Sequence, residues 1–202
     1  MDKVLVPMVT SPLLGYFIAL ALVVALFWIF KGFERRPMTN RFRRLQVLSA
    51  GFMAFSHGSN DAQKTMGIIT LALFSAGLLP TVAVPPWVIV ISATAISLGT
   101  AVGGWRIMHT MGHRVVKLEP VHGFAAETTA ATIIYGAAHF GMPVSTTHVI
   151  SAAIMGVGSS RGIRAVRWGV ARSILIAWVV TLPAAGMVAA GSWLILNALG
   201  LS

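Results

Sequence analysis

Residues 13–30 read LLGYFIALALVVALFWIF, a run without a single charge, and that run constrains the chain more than any other feature. A helix of about 18–20 apolar residues crosses the ~30 Å hydrocarbon core of a bilayer. Comparable stretches recur at 87–105 and 170–196, and longer apolar regions at 45–79 and 121–157 are interrupted by polar motifs. Lipid offers no hydrogen bonds to the backbone, so serial runs of this kind fold as helices. The expected class is all-α: a polytopic integral membrane protein, a helical bundle with broken or re-entrant helices.

Composition agrees. Apolar residues make up 56% of the 202 positions and charged ones 10%, against roughly 25% charged in a soluble domain. The absence of cysteine excludes thiolate metal sites and thiol redox chemistry. A net charge of +10 would point to nucleic acid in a soluble protein, but no basic stripe with interleaved aromatics is present. Instead the basic residues cluster at 31–44, 106–117 and 161–172, between apolar runs. That placement follows the positive-inside rule and makes these loops cytoplasmic, in a multi-pass protein of the cell membrane, a bacterial inner membrane. Membrane lipids are the expected surroundings, and nucleic acid is not a partner. No nucleophile–base arrangement or phosphate-binding glycine loop stands out, so neither an enzyme nor a cofactor is expected.

The N-terminus reads as a retained span over 12–30, because Met1-Asp2-Lys3 is not a positive n-region and no small-x-small cleavage site follows. Orientation then alternates: N-terminus outside, 31–44 inside, 80–86 outside, 106–117 inside, 161–169 inside, C-terminus outside. Region 121–157 must therefore make two crossings or a re-entrant hairpin, and the stretch after Pro143 is short for a span. Trp28, Trp87, Trp105 and Trp193 fall near span ends, as an interfacial belt would place them. Gly99 to Gly103 fits small-residue helix packing, His109 and His113 read as a solvated pair, and Arg161, Arg164 and Arg167 as a headgroup-facing set.

Three segments put polar groups where hydrocarbon is expected, and such groups mark ion or substrate routes. In Ser56-His57-Gly58-Ser59-Asn60-Asp61-Ala62-Gln63-Lys64-Thr65, Gly58 permits an unwound turn and Asn60 or Asp61 a helix cap. Asp61 supplies a carboxylate for a hard cation such as Na⁺, with Asn60, Gln63 and Thr65 as neutral oxygen donors. A broken helix also frees carbonyls for cations and N–H groups for anions. In Gly141-Met142-Pro143-Val144-Ser145-Thr146-Thr147-His148, a proline followed by hydroxyls reads as a helix start, suited to an oxyanion. Ser145, Thr146 and Thr147 are the expected anion donors. Glu127 is a cation ligand, a proton carrier or the partner of Lys64. Lys64 itself pairs with a carboxylate or lies beside the anion.

Gly58-Ser59-Asn60-Asp61 followed much later by Pro143-Val144-Ser145-Thr146-Thr147-His148 resembles the PiT-type inorganic phosphate transporters. The resemblance runs from about Leu45 to the C-terminus. It implies an ion-coupled phosphate symporter, using Na⁺ or H⁺, in which two inverted halves each supply one motif set. It matches the family's signature aspartate to Asp61, the neighbouring asparagine to Asn60, its intramembrane glutamate to Glu127, and its serine-threonine turn to Ser145, Thr146 and Thr147. Two departures stand out. The family pattern continues with a small residue and then asparagine where this chain has Gln63 and Lys64, and only one copy of each motif occurs. Residues 1–202 are therefore expected to form one transmembrane domain resembling the C-terminal repeat of such a permease. Its partner would be the missing N-terminal repeat or a second copy of the chain. The alternatives are a sulfate permease on the same scaffold, and a non-transporting half or membrane interaction subunit.

Overall fold

The computed structural model describes residues 2–109, 115–116 and 118–200, and every regular element among them is helical. The chain divides into two compact units, Met1–Val166 and Arg167–Ser202. The His109–His113 pair and most of the 106–117 cluster lie outside the described residues or side chains.

The first unit holds α1 (Asp2–Ile29), α2 (Arg35–Ser75), α3 (Pro86–His109), α4 (Pro120–His139) and α5 (Thr146–Ser159), followed by a 3₁₀ turn at Ile163–Ala165. The second unit holds α6 (Trp168–Ala198), a helix carrying Pro183 and exposed apolar side chains such as Val179, Val188 and Leu194. Val6–Ile29, Pro86–Trp105 and Trp168–Ala198 are long and apolar enough to cross a membrane. α1 starts before residue 12 and contains Pro7 and Pro12.

α2 departs from the expected break. It continues through Gly58 as one 41-residue helix, about 60 Å long at 1.5 Å per residue. A glycine costs a helix only about 1 kcal/mol relative to alanine, and α2 is held by α4 before Gly58, up to Phe55, and by the hairpin tip after it, from Asp61 onward, so the ladder continues. Asn60 and Asp61 accordingly sit mid-helix and cap nothing. The basic cluster is also helical from Arg35 onward, making the first turns of α2 rather than a loop.

Region 121–157 forms a helical hairpin, α4 and α5. α5 has 14 residues, about 21 Å at 1.5 Å per residue, which is short of a ~30 Å core. The α4 end is closed by a Schellman arrangement: Met142 N–H donates to the Ala137 carbonyl at 2.9 Å and Gly141 N–H to Ala138 at 3.1 Å. Gly141 sits at φ +63°, a conformation that favours glycine and turns the chain back. At the base of the hairpin Arg161 pairs with Glu119, instead of facing headgroups alone. The two limbs are therefore antiparallel, with 140–145 as the tip.

α1 runs beside α5 in the same direction. A Cβ on Gly156 would collide with the carbonyl of Tyr16, and Tyr16 Oη donates to Ser159 Oγ at 2.8 Å. Small residues such as Ala152, Ala153 and Gly156 are what let two backbones approach this closely. α2 likewise runs beside α4: Phe42 meets Phe124, Ser49 meets Glu127, and Phe52 and Phe55 meet Tyr135. Gly99 and Gly103 in α3 face open space within 4 Å, so the expected packing motif is not used by the described residues. The parallel register carries the polar segment of α2 to the tip of the α4–α5 hairpin.

Candidate functional site

Pro143 and Val144 belong to the tip, and Ser145 begins α5 as its N-cap, at φ −85° and ψ 109°. Its Oγ accepts from the His148 N–H at 3.4 Å. The serine therefore does what an ordinary capping residue does, and its own hydroxyl proton remains a donor. Thr146 follows, almost fully buried, and its Oγ1 donates to Asp61 Oδ2 at 3.3 Å. Thr147 is exposed on the next position.

Asp61 is the hub on the α2 side. Its Oδ1 accepts from Lys64 Nζ at 3.1 Å, and its Oδ2 lies 3.6 Å from His57 Nε2 one turn earlier. Lys64 Nζ also donates to the Val144 carbonyl at 2.6 Å. Two helices and the hairpin tip are thus joined through one carboxylate and one ammonium. A cavity of about 360 Å³ opens here, lined by Met8, Asp61, Lys64 and the tip residues 143–147. Of the expected site residues it brings together Asp61, Lys64, Ser145, Thr146 and Thr147.

Four others stand elsewhere. Asn60 is buried at 3% exposure, and its Oδ1 has no hydrogen-bond partner among the described residues. Gln63 lines a second cavity, also about 360 Å³, with Phe55, Ser56, Ser59, Tyr135, Ala138 and His139. Thr65 Oγ1 donates back to the Asp61 carbonyl at 3.2 Å and is exposed. Glu127 accepts from Ser49 Oγ at 2.6 Å, far down the α2–α4 contact.

Sequence reasoning passed over three participants. His57 was detectable, since i and i+4 share a helix face. The Val144 carbonyl and Met8 were not, because neither backbone geometry nor the approach of α1 to the tip leaves a local sequence signal.

Chemically, the cavity combines hydroxyl donors, the N-terminal end of α5 and a fixed ammonium with a single carboxylate. That set suits an oxyanion accompanied by positive charge.

A family model described as "Phosphate transporter family" matches residues 1–189. A Rhizobium meliloti (strain 1021) protein named "Probable low-affinity inorganic phosphate transporter" is 49% identical over 183 residues, covering 90% of this chain and 55% of the relative. A Bacillus subtilis (strain 168) protein of the same name is 42% identical over 196 residues, covering 96% and 59%. Among solved structures, "The sodium-dependent phosphate transporter" aligns with a TM-score of 0.72 and 27% identity, covering 98% of this chain and 57% of the other. The chain spans about half the length of the curated relatives it matches, 55% and 59% in these two cases.

Proposed function

The chain belongs to the phosphate transporter family, and from that premise we propose that it forms one half of an ion-coupled inorganic phosphate symporter in the cell membrane. The observation that carries this reading is the cavity at the hairpin tip, which Ser145 and Thr147 line together with Asp61 and Lys64. Phosphate is bound by the Ser145 and Thr147 hydroxyls, the first N–H groups of α5 and the Lys64 ammonium. Thr146 holds Asp61 in register with the tip. Asp61 balances the cation side. Asn60 and Gln63, directed elsewhere on α2, serve the cation route with a second motif set, from another repeat or another copy of the chain. Thr65 stays on the Asp61 backbone. Glu127 acts on coupling from a distance. The coupling ion is Na⁺ or H⁺, Na⁺ being the ion in the name of the similar solved transporter. The basic start of α2 and the Glu119–Arg161 base of the hairpin face the cytoplasm.

The test is uptake of labelled phosphate by the complete transporter polypeptide in proteoliposomes, with oxyanion competitors. Arsenate should compete, and selenate and molybdate should not. Competition by selenate and molybdate alone would make the protein a sulfate permease. Absence of any anion uptake would leave a membrane interaction subunit.

A further inference from the structure

Lys64 Nζ stands 3.1 Å from Asp61 Oδ1 and 2.6 Å from the carbonyl oxygen of Val144. One acceptor is a carboxylate on α2. The other is a peptide carbonyl just before the N-cap of α5, outside that helix's hydrogen-bond ladder. An ionised oxygen and a freed backbone carbonyl are the donors that a hard cation takes in helix-break sites. Here a covalently attached ammonium sits between them.

The remaining contacts of the carboxylate agree with that role. Oδ2 accepts from Thr146 and faces His57 Nε2, so both oxygens are directed at donors from α2 and α5. Lys64 and His57 are the basic groups paired with Asp61 among the described residues. Removing the ammonium would leave a carboxylate and a carbonyl facing each other at the hairpin tip, and that pair of oxygens favours a diffusible cation.

We propose that Lys64 is a tethered cation: its ammonium occupies the position between α2 and the hairpin tip that a sodium ion would otherwise fill. This half of the transporter therefore holds its anion cavity charged and joined to α2 without binding sodium there. The inference rests on the reading of the cavity as a phosphate site, and it makes Lys64 a determinant of ion dependence. Substitution by asparagine would exchange the charge for a neutral oxygen donor, completing a three-oxygen sodium site with Asp61 and Val144.

The experiment compares the parent with Lys64→Asn, Lys64→Gln and Lys64→Arg in the complete transporter. Initial phosphate uptake and thermal stability in detergent are both measured in sodium and in choline buffers at fixed pH. Lys64→Asn should become more sodium-dependent than the parent by at least about fivefold in uptake, and sodium should raise its melting temperature more than the parent's. Lys64→Arg should follow the parent. If Lys64→Asn does not accumulate, recovery of folded protein on solubilisation in sodium but not choline supports the tether, and equal loss in both overturns it. Identical sodium profiles for the parent and both amide variants, in uptake and in stability, also overturn it. Failure of the parent to take up phosphate would instead sink the phosphate reading, while the sodium effect on melting still decides the role of Lys64.

Discussion

Ser49 on α2 donates its hydroxyl to Glu127 Oε2 on α4 at 2.6 Å, and Asp61 lies twelve residues further along the same helix. At 1.5 Å per residue that is about 18 Å. The two carboxylates of the polar core are thus separate. One ties the parallel α2–α4 pair together, and the other ties α2 to the hairpin tip.

Glu127→Gln is therefore expected to leave half-saturation for phosphate within about twofold of the parent. Any effect falls on the maximal rate, through coupling. Ser49→Ala should lower stability by about 1–3 kcal/mol, since it strips a donor from a half-buried carboxylate. Uptake kinetics and thermal unfolding in detergent check both. A large rise in half-saturation for Glu127→Gln would place that carboxylate in the anion site.

The α1–α5 contact gives a test of the fold itself. Gly156→Ala puts a methyl into the Tyr16 carbonyl, a backbone atom that cannot swing away, and should cost about 1–3 kcal/mol. Gly136→Ala meets nothing within 4 Å and should be neutral, or stabilising by up to about 1 kcal/mol. Equal melting temperatures for the two variants would contradict the packing.

Much of this arrangement was legible from residue order. Charge-free runs give α1, α3 and α6, because crossing lipid leaves a helix as the simplest way to satisfy the backbone. The Gly141-Met142-Pro143 interruption between two apolar stretches gives the turn of the α4–α5 hairpin. Lys64 falls beside Asp61 because residues three apart share a helix face. The continuity of α2 through Gly58 was not legible. A glycine among hydroxyls reads locally as a break, and it is outweighed by tertiary contacts, with α4 before Gly58 and with the hairpin tip after it. In the sequence Glu127 groups with the cation site, because an acidic residue in an apolar run carries no label for its depth. The register of α2 against α4 sets that depth, and register is a tertiary property.

The Asp61–Lys64 pair predicts a non-additive result. Asp61→Asn leaves the ammonium with only the Val144 carbonyl and should abolish concentrative uptake, while Asp61→Glu keeps a trace. Both partners are partly exposed within the unit, 29% and 38%, so their coupling should lie between exposed and buried pairs, about 1–3 kcal/mol. Asp61→Asn combined with Lys64→Met should then be more stable than Asp61→Asn alone. A strictly additive double-mutant cycle in thermal unfolding would contradict the pairing.

If the hairpin tip binds phosphate, Ser145 and Thr147 separate that role from plain capping. Ser145→Ala should lower stability by about 1 kcal/mol through loss of the cap to His148, and weaken phosphate as well. Thr147 is exposed to the cavity and caps nothing, so Thr147→Ala should spare stability. The decisive measurement is half-saturation for phosphate in proteoliposomes of the complete transporter carrying Thr147→Ala. Loss of a donor to a charged ligand is worth about 1.5–3 kcal/mol, so half-saturation should rise roughly tenfold or more with the melting temperature unchanged. An unchanged half-saturation in both Thr147→Ala and Ser145→Ala would reduce the tip to an ordinary helix start and contradict phosphate binding there.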